Sequence, residues 1–324
     1  MSSRLTRDDA RALALQILRE KPDPAVRVRL LRDSLRASAS DTRLEEARAA
    51  LEDSAHVAAL RAEQAKDGSW GRLHSREAAA RQAVPTTEWA VERAWALGLD
   101  RNHPILEAAA AYLADVATGK TAPSDPPEKN DRWPVGVRLF AAATLARIAP
   151  DDPAVDGVWE LWHEVARRAF VDGAYNEEQE AAALAELTGA AARGTYLVLS
   201  NRYALALLAS RADRLDHGLE QALVRWIWGR PEGIGSFGVP LSTPPEAASV
   251  GALERFLLSH EIAAGFDSSG APTGPLADWL ERHRRSDGLW DLGQRASWTA
   301  ALPLSESWRR GTARSGDWTA RILG

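Results

Sequence analysis

The stretch Gln64-Ala65-Lys66-Asp67-Gly68-Ser69-Trp70 ends a helix-length segment, and Arg284-Arg285-Ser286-Asp287-Gly288-Leu289-Trp290 repeats its Asp-Gly-x-Trp core far along the 324-residue chain. Two weaker versions follow the same idea, an acid-glycine pair near an aromatic: Asp172-Gly173 before Tyr175, and Glu232-Gly233 before Phe237. The four pairs lie 105, 60 and 55 residues apart, with Gly119 near the middle of the long interval. A unit of about 50 to 60 residues, one helical hairpin, fits about six times into this length. An open superhelix of such units would need polar end caps, whereas here the strongest copies sit in the flanking hairpins. The expected architecture is therefore all-α, a single α/α toroid of about six hairpins, with 1–41 as an N-terminal hairpin, 42–295 as the repeat core and 296–324 as a tail packed on the ring.

The segments between these turns carry apolar residues three and four apart, frequent alanine and no run of alternating β-branched residues. Helices are expected over Asp8 to Glu20, Pro24 to Arg36, Thr42 to Gln64, Glu88 to Leu97, Ile105 to Val116, Trp133 to Ile148, Pro153 to Phe170, Glu177 to Leu187, Leu197 to Ala212, Leu215 to Trp228, Glu246 to Ala263 and Gly274 to Arg285. Thr118 to Asp131, with three prolines, reads as a surface loop, and Gly229 to Pro245 as a lid or a plain connection. Trp298 to Leu323 is mixed in character.

Gln-x-x-Asp-Gly-x-Trp at Gln64 to Trp70 resembles the QW repeat of the terpene cyclase and protein prenyltransferase superfamily, whose toroids include squalene-hopene cyclases. Arg284 stands where the second copy should have Gln, and the other two turns keep fragments, so the resemblance covers about residues 42–295. It implies a structural role for Gln64, Asp67, Gly68 and Trp70, and for Asp287, Gly288 and Trp290: a side chain capping a helix end and an indole presented to the next hairpin. The family's reactions do not follow. The Asp-x-Asp-Asp acid of class II cyclases is absent, and without any cysteine the Asp/Cys/His zinc site of the prenyltransferases cannot be built.

The same absence of cysteine excludes disulfides and thiolate nucleophiles and fits a reducing cytosol. The N-terminal residues have acids instead of an apolar core, and no apolar run reaches about 18 residues, so the expected location is cytoplasmic, with no membrane span. Forty basic and 45 acidic side chains are spread along the chain without a basic stripe, which argues against a nucleic-acid partner. Thirteen tryptophans stand against 5 phenylalanines and 4 tyrosines, a bias that suits recurring structural positions or an aromatic-lined cavity.

Candidate chemistry is sparse. The histidines show no metal spacing, no Gly-x-Ser-x-Gly or P-loop occurs, and no cofactor or metal is expected. Asp151-Asp152-Pro153 suits a helix cap and first turn better than a Mg²⁺ cluster. His74 and Arg76 follow the best motif closely, and Glu88 opens the next helix; a His-carboxylate pair can do acid-base work, and an arginine can hold an anion. In the toroids that this chain resembles, inner helices start at the central cavity. Residues at such starts could then converge: Glu88, Asp131, Arg132, Asn201, Arg202 and Tyr203, each of which could equally be a cap or an ion pair.

The reading that follows is a terpene cyclase-like toroid holding an isoprenoid, or another small apolar or anionic substrate, in an aromatic-lined centre. Trp89, Trp95 and Trp133 would face a carbocation, and Glu88 or Asp131, with His74, would supply the proton. The alternatives are a noncatalytic ligand- or protein-binding toroid, in which the tryptophans are purely structural, and a carbohydrate lyase or hydrolase. Oligomeric state is not legible in the sequence.

Overall fold

The computed structural model describes residues 5–77, 82–127, 131–190, 196–245, 250–266, 274–293 and 300–324. Within them the chain is all-α. The helices are α1 (Arg7–Arg19), α2 (Pro24–Arg29, continued by a wider turn over Leu30–Ser34), α3 (Thr42–Glu52), α4 (Ala55–Glu63), α5 (Thr87–Leu97), α6 (Pro104–Ala117) and α7 (Trp133–Ile148). They continue as α8 (Pro153–Ala169), α9 (Glu177–Thr188), α10 (Arg202–Ala209), α11 (His217–Gly229), α12 (Val250–Ala263), α13 (Gly274–Arg282) and α14 (Gly311–Leu323). One two-residue hairpin, β1 (Phe170–Val171) with β2 (Ala174–Tyr175), joins α8 to α9. None of these helices is long and apolar enough to cross a membrane.

Local chemistry explains the boundaries. Thr86 accepts the Trp89 amide at 3.2 Å and starts α5, and Gly98, at φ +98°, ends it. The segment Thr42 to Gln64 is two helices instead of one because Ser54 takes the Val57 amide and caps α4 after α3 has ended. Asn201 caps α10, so the expected helix from Leu197 begins only at Arg202. Asp152 accepts the Ala154 amide at 2.9 Å, the cap role expected of it. The expected start of α12 at Glu246, and Trp298, lie outside the described residues.

Packing follows the apolar faces. Helix α7 is buried nearly all round, from Gly136 through Ile148, and lies against α5, α6, α8 and α10. Contacts also run from α2 to α5, from α10 to α12, and from α14 back to α2. Between α14 and α12 the buried Arg321 side chain pairs with Glu254 and with Glu261, the latter at 3.2 Å.

The two strong motif copies share a hydrogen-bond pattern. Trp70 donates its indole N–H to the Leu60 carbonyl at 2.8 Å and its amide to Thr87 Oγ1 at 2.9 Å. Trp290 does the same to Leu280 at 2.7 Å and to Thr319 Oγ1 at 3.0 Å. Gln64 donates to the Gly68 carbonyl at 3.0 Å and to Ile105 at 2.9 Å; Arg284 keeps the first of these bonds, to Gly288 at 2.9 Å, and lies over the Trp290 ring. Both turns need a left-handed glycine, Gly68 at φ +89° and Gly288 at +83°. The pair Asp172-Gly173 is different: with φ of 54° and 76° it is the tip of the β1–β2 hairpin. A Cβ on Gly68 would strike the Ala108 carbonyl, whereas one on Gly173 would meet nothing within 4 Å. Gly173→Ala is accordingly expected to cost about 1 kcal/mol and Gly68→Ala at least about 3 kcal/mol, compared by thermal melts.

His260 is buried edge-on against Phe256 and Trp228, and that burial pulls its imidazole down to about 4. The folded state therefore holds it neutral, and its stabilising contribution, complete above the unfolded value near 6.5, is lost as pH falls from there towards 4. Asp317, raised to about 6 by burial, works in the opposite direction between about 6 and its ordinary 3.8. Comparing His260→Leu with the parent isolates the histidine. The parent should lose about 2 to 3 kcal/mol more than the variant between about pH 7 and pH 4.5, at about 1.4 kcal/mol for each tenfold change in proton affinity.

Candidate functional site

The clasp at Trp70 leads directly into the site. Its amide holds Thr87, and the following segment runs along the start of α5, with the Thr87 amide donating to the Arg72 carbonyl at 2.9 Å and the Glu88 amide to Leu73 at 3.1 Å. Two of the orphan N–H groups of a helix start are used in this way. Asp125 completes the anchor. Buried in the Pro-rich segment expected to be a surface loop, its carboxylate accepts from the amides of Leu73, His74 (3.0 Å) and Ser75 (2.7 Å) and from the Ser75 hydroxyl (2.9 Å). A carboxylate collecting three amides can leave solvent because its charge remains satisfied.

His74 is thereby aimed inward. Its Nδ1 lies 2.9 Å from Glu88 Oε2 and 3.0 Å from Tyr203 Oη, and its ring stacks on Phe140 with centroids 4.3 Å apart. Glu88, almost fully buried, accepts from both the Tyr203 hydroxyl and the Arg202 guanidinium. Arg202 also lies over the Tyr203 ring, 4.3 Å from its centroid, and donates to Glu92 Oε1 at 3.2 Å. Burial pushes the Tyr203 phenol well above its ordinary value, so it serves as a hydroxyl donor. Four of the residues expected from the sequence, His74, Glu88, Arg202 and Tyr203, thus meet in one network.

This network backs onto a cavity of about 560 Å³, within the range of small-molecule sites. Its wall is drawn from the turn after α2 and from α5, α7, α10, α12 and α14. Ala143, Ala146, Ala206, Leu258, Ile262 and Trp95 supply apolar surface, and five arginines (Arg29, Arg32, Arg147, Arg202 and Arg321) share it with Asp33, Glu92 and Glu261. Depth in this space pushes the Glu92 carboxyl above the ordinary carboxylate range, Arg147 pulls it back, and Glu261 adds to the rise. About 29% of the Glu92 side chain stays accessible, and burial of the rest still acts first on its charge. Arg202 does not reverse this, because Glu88 engages its guanidinium more closely.

The other expected residues lie elsewhere. Trp95 is on the cavity wall, with Arg32 over its ring; Trp89 and Trp133 are half-buried against the core and do not line the cavity. Asn201 caps α10 through its bond to the Tyr203 amide at 2.8 Å. Asp131 is exposed and Arg132 half-buried just ahead of α7, and Arg76 is exposed in the loop after His74. Phe140, Asp125, Arg147 and Glu92 were not anticipated. Glu92 had a legible signal, four residues after Glu88 and so on the same face of α5. Asp125 had none, since its partners are amides brought to it by the fold. No group of three or more His, Cys, Asp or Glu that could hold a metal occurs among the described residues.

The chain matches no protein-family model, no curated protein and no solved structure.

Because Glu88 is the buried acceptor for Arg202, Tyr203 and His74, truncating it takes the acceptor from the buried Tyr203 hydroxyl and leaves Arg202 with Glu92 alone. Glu88→Ala should cost about 2 to 4 kcal/mol in denaturant unfolding.

Proposed function

We propose that the chain is an α/α toroid that binds a small molecule in its central cavity and protonates it with Glu92. The carrying observation is the position of Glu92: a carboxyl biased towards its neutral form by depth, held at one oxygen by Arg202 and facing the open space. A carboxyl biased towards its protonated form is suited to general acid catalysis. Glu88, behind Arg202 and Tyr203, is a positioning residue in this scheme, with His74 and Phe140 fixing the phenol.

An isoprenoid substrate with acid-initiated cyclisation suits this cavity, its apolar body lying along the alanines and Trp95 with Glu92 as the proton source. The succession of helix contacts from α2 through α5, α7, α10, α12 and α14 back to α2 supports the toroid. A second reading, a carbohydrate lyase or hydrolase, is favoured by the arginine-carboxylate pairs along the wall, which present donors and acceptors to a polyhydroxylated ligand.

Incubation with farnesol, farnesyl diphosphate, squalene and neutral and acidic oligosaccharides, followed by product analysis, separates the two. In the reading proposed, an isoprenoid is consumed, and Glu92→Gln lowers the rate at least about 100-fold with little change in melting temperature. Conversion of an oligosaccharide alone, full activity in the Glu92→Gln variant, or no conversion of any substrate would overturn it.

A further inference from the structure

Charges on the cavity wall are paired in an uneven way. Arg29 and Arg32 share Asp33, at 2.7 and 2.6 Å. Arg321 stands between Glu254 and Glu261, and Arg202 between Glu88 and Glu92. Arg147, in the last turn of α7, is the exception: it is exposed, lines the cavity and makes no ion pair among the described residues. It lies close enough to Glu92 to act on it electrostatically without bonding to it. Glu92 in turn receives a hydrogen bond among the described residues at one oxygen only, from Arg202.

We propose that Arg147 is the anion-recognition residue of this cavity, taking a carboxylate or phosphate group of the ligand in the field of the neighbouring Glu92 carboxyl. This rests on the cavity being the ligand site and adds the chemistry of the ligand: a molecule with an anionic group as well as an apolar body. A guanidinium can meet either anion with two parallel N–H donors. A neutral carboxyl beside it leaves the anion unopposed, whereas an ionised one would repel it. Binding of the anion therefore draws a proton onto Glu92, and affinity rises as pH falls. The charged groups around Glu92 set the background of this effect: Glu88 on its own helix, Arg202 on α10, Arg147 on α7, Glu261 with Arg321 from α12 and α14, and Arg29, Arg32 and Asp33 from α2 and the turn after it.

Calorimetric titration of the whole chain tests this with sulfate, which does not change charge over the range used, and with hexanoate and hexyl phosphate. Sulfate should bind the parent more tightly at about pH 5.5 than at about pH 7.5. Arg147→Gln should weaken it at least about tenfold, and Arg147→Lys should weaken it less. Glu92→Gln should keep binding but lose the pH dependence, and Arg43→Gln, at an exposed pair far along the chain, should change nothing. Tighter binding of hexyl phosphate or of hexanoate decides between the two anions. Equal sulfate affinity in the parent and Arg147→Gln, or no binding to the parent at tens of millimolar, overturns the assignment. The two readings fail separately. Turnover lost in Glu92→Gln with sulfate binding unaltered in Arg147→Gln removes only the anion site. Binding lost in Arg147→Gln without conversion of any substrate removes only the reaction.

Discussion

The structure depends on what two indoles do. Trp70 ties the last turn of α4 to the first turn of α5, and Trp290 ties α13 to α14, each through one bond from the indole and one from its own amide. A large side chain buried with its single donor satisfied is both a packing anchor and a directional constraint. Each clasp ends on a buried threonine, Thr87 or Thr319, of a helix that faces the cavity. The clasps are thus far from the cavity in role but set the helices that carry its charges, Glu88 and Glu92 on α5 and Arg321 on α14.

Electrostatics then distinguishes the two carboxylates of α5, one helical turn apart. Glu88 is enclosed by Arg202, Tyr203 and His74, whose contacts occupy both of its oxygens. Glu92 shares only the edge of the same guanidinium and looks into the cavity, where loss of water dominates. The same residue type is a structural acceptor in one position and, in the function proposed, the acid in the other, a division made by the environment. Asp125 belongs with Glu88: without its grip on Leu73, His74 and Ser75, the imidazole would have no fixed place opposite the phenol.

Much of this was legible in the residues. Helical periodicity, Pro and Gly punctuation and the capping residues Thr86, Asp152 and Asn201 follow from local rules, and these elements formed close to where they were expected. The gathering of His74, Glu88, Arg202 and Tyr203 was legible in part, because helix starts and a loop after a rigid turn are natural places for convergence, but the same rule also pointed to Asp131, Arg132, Asn201 and Arg76, which lie outside the network. Less legible were the breaks: a long Ala/Glu/Arg-rich pattern does not show that Ser54 will end it, since the competing cap is worth only about 1 kcal/mol. The aromatic lining did not follow either, because Trp89 and Trp133 can bury their rings against helices as well as against a ligand.

What the sequence by itself determined is the all-α class and the paired Asp-Gly-x-Trp clasps, both products of short-range geometry: a 3.6-residue period, a left-handed glycine, an indole ten residues after the carbonyl it meets. What only the tertiary structure decided is which charges share a space. Asp125 lies 50 to 52 residues from the amides it binds, Arg202 lies 114 residues from Glu88, and Arg147 owes its place on the cavity wall to helices far away in the chain. Charge pairing and desolvation depend on distance in space, and composition and spacing carry no record of it.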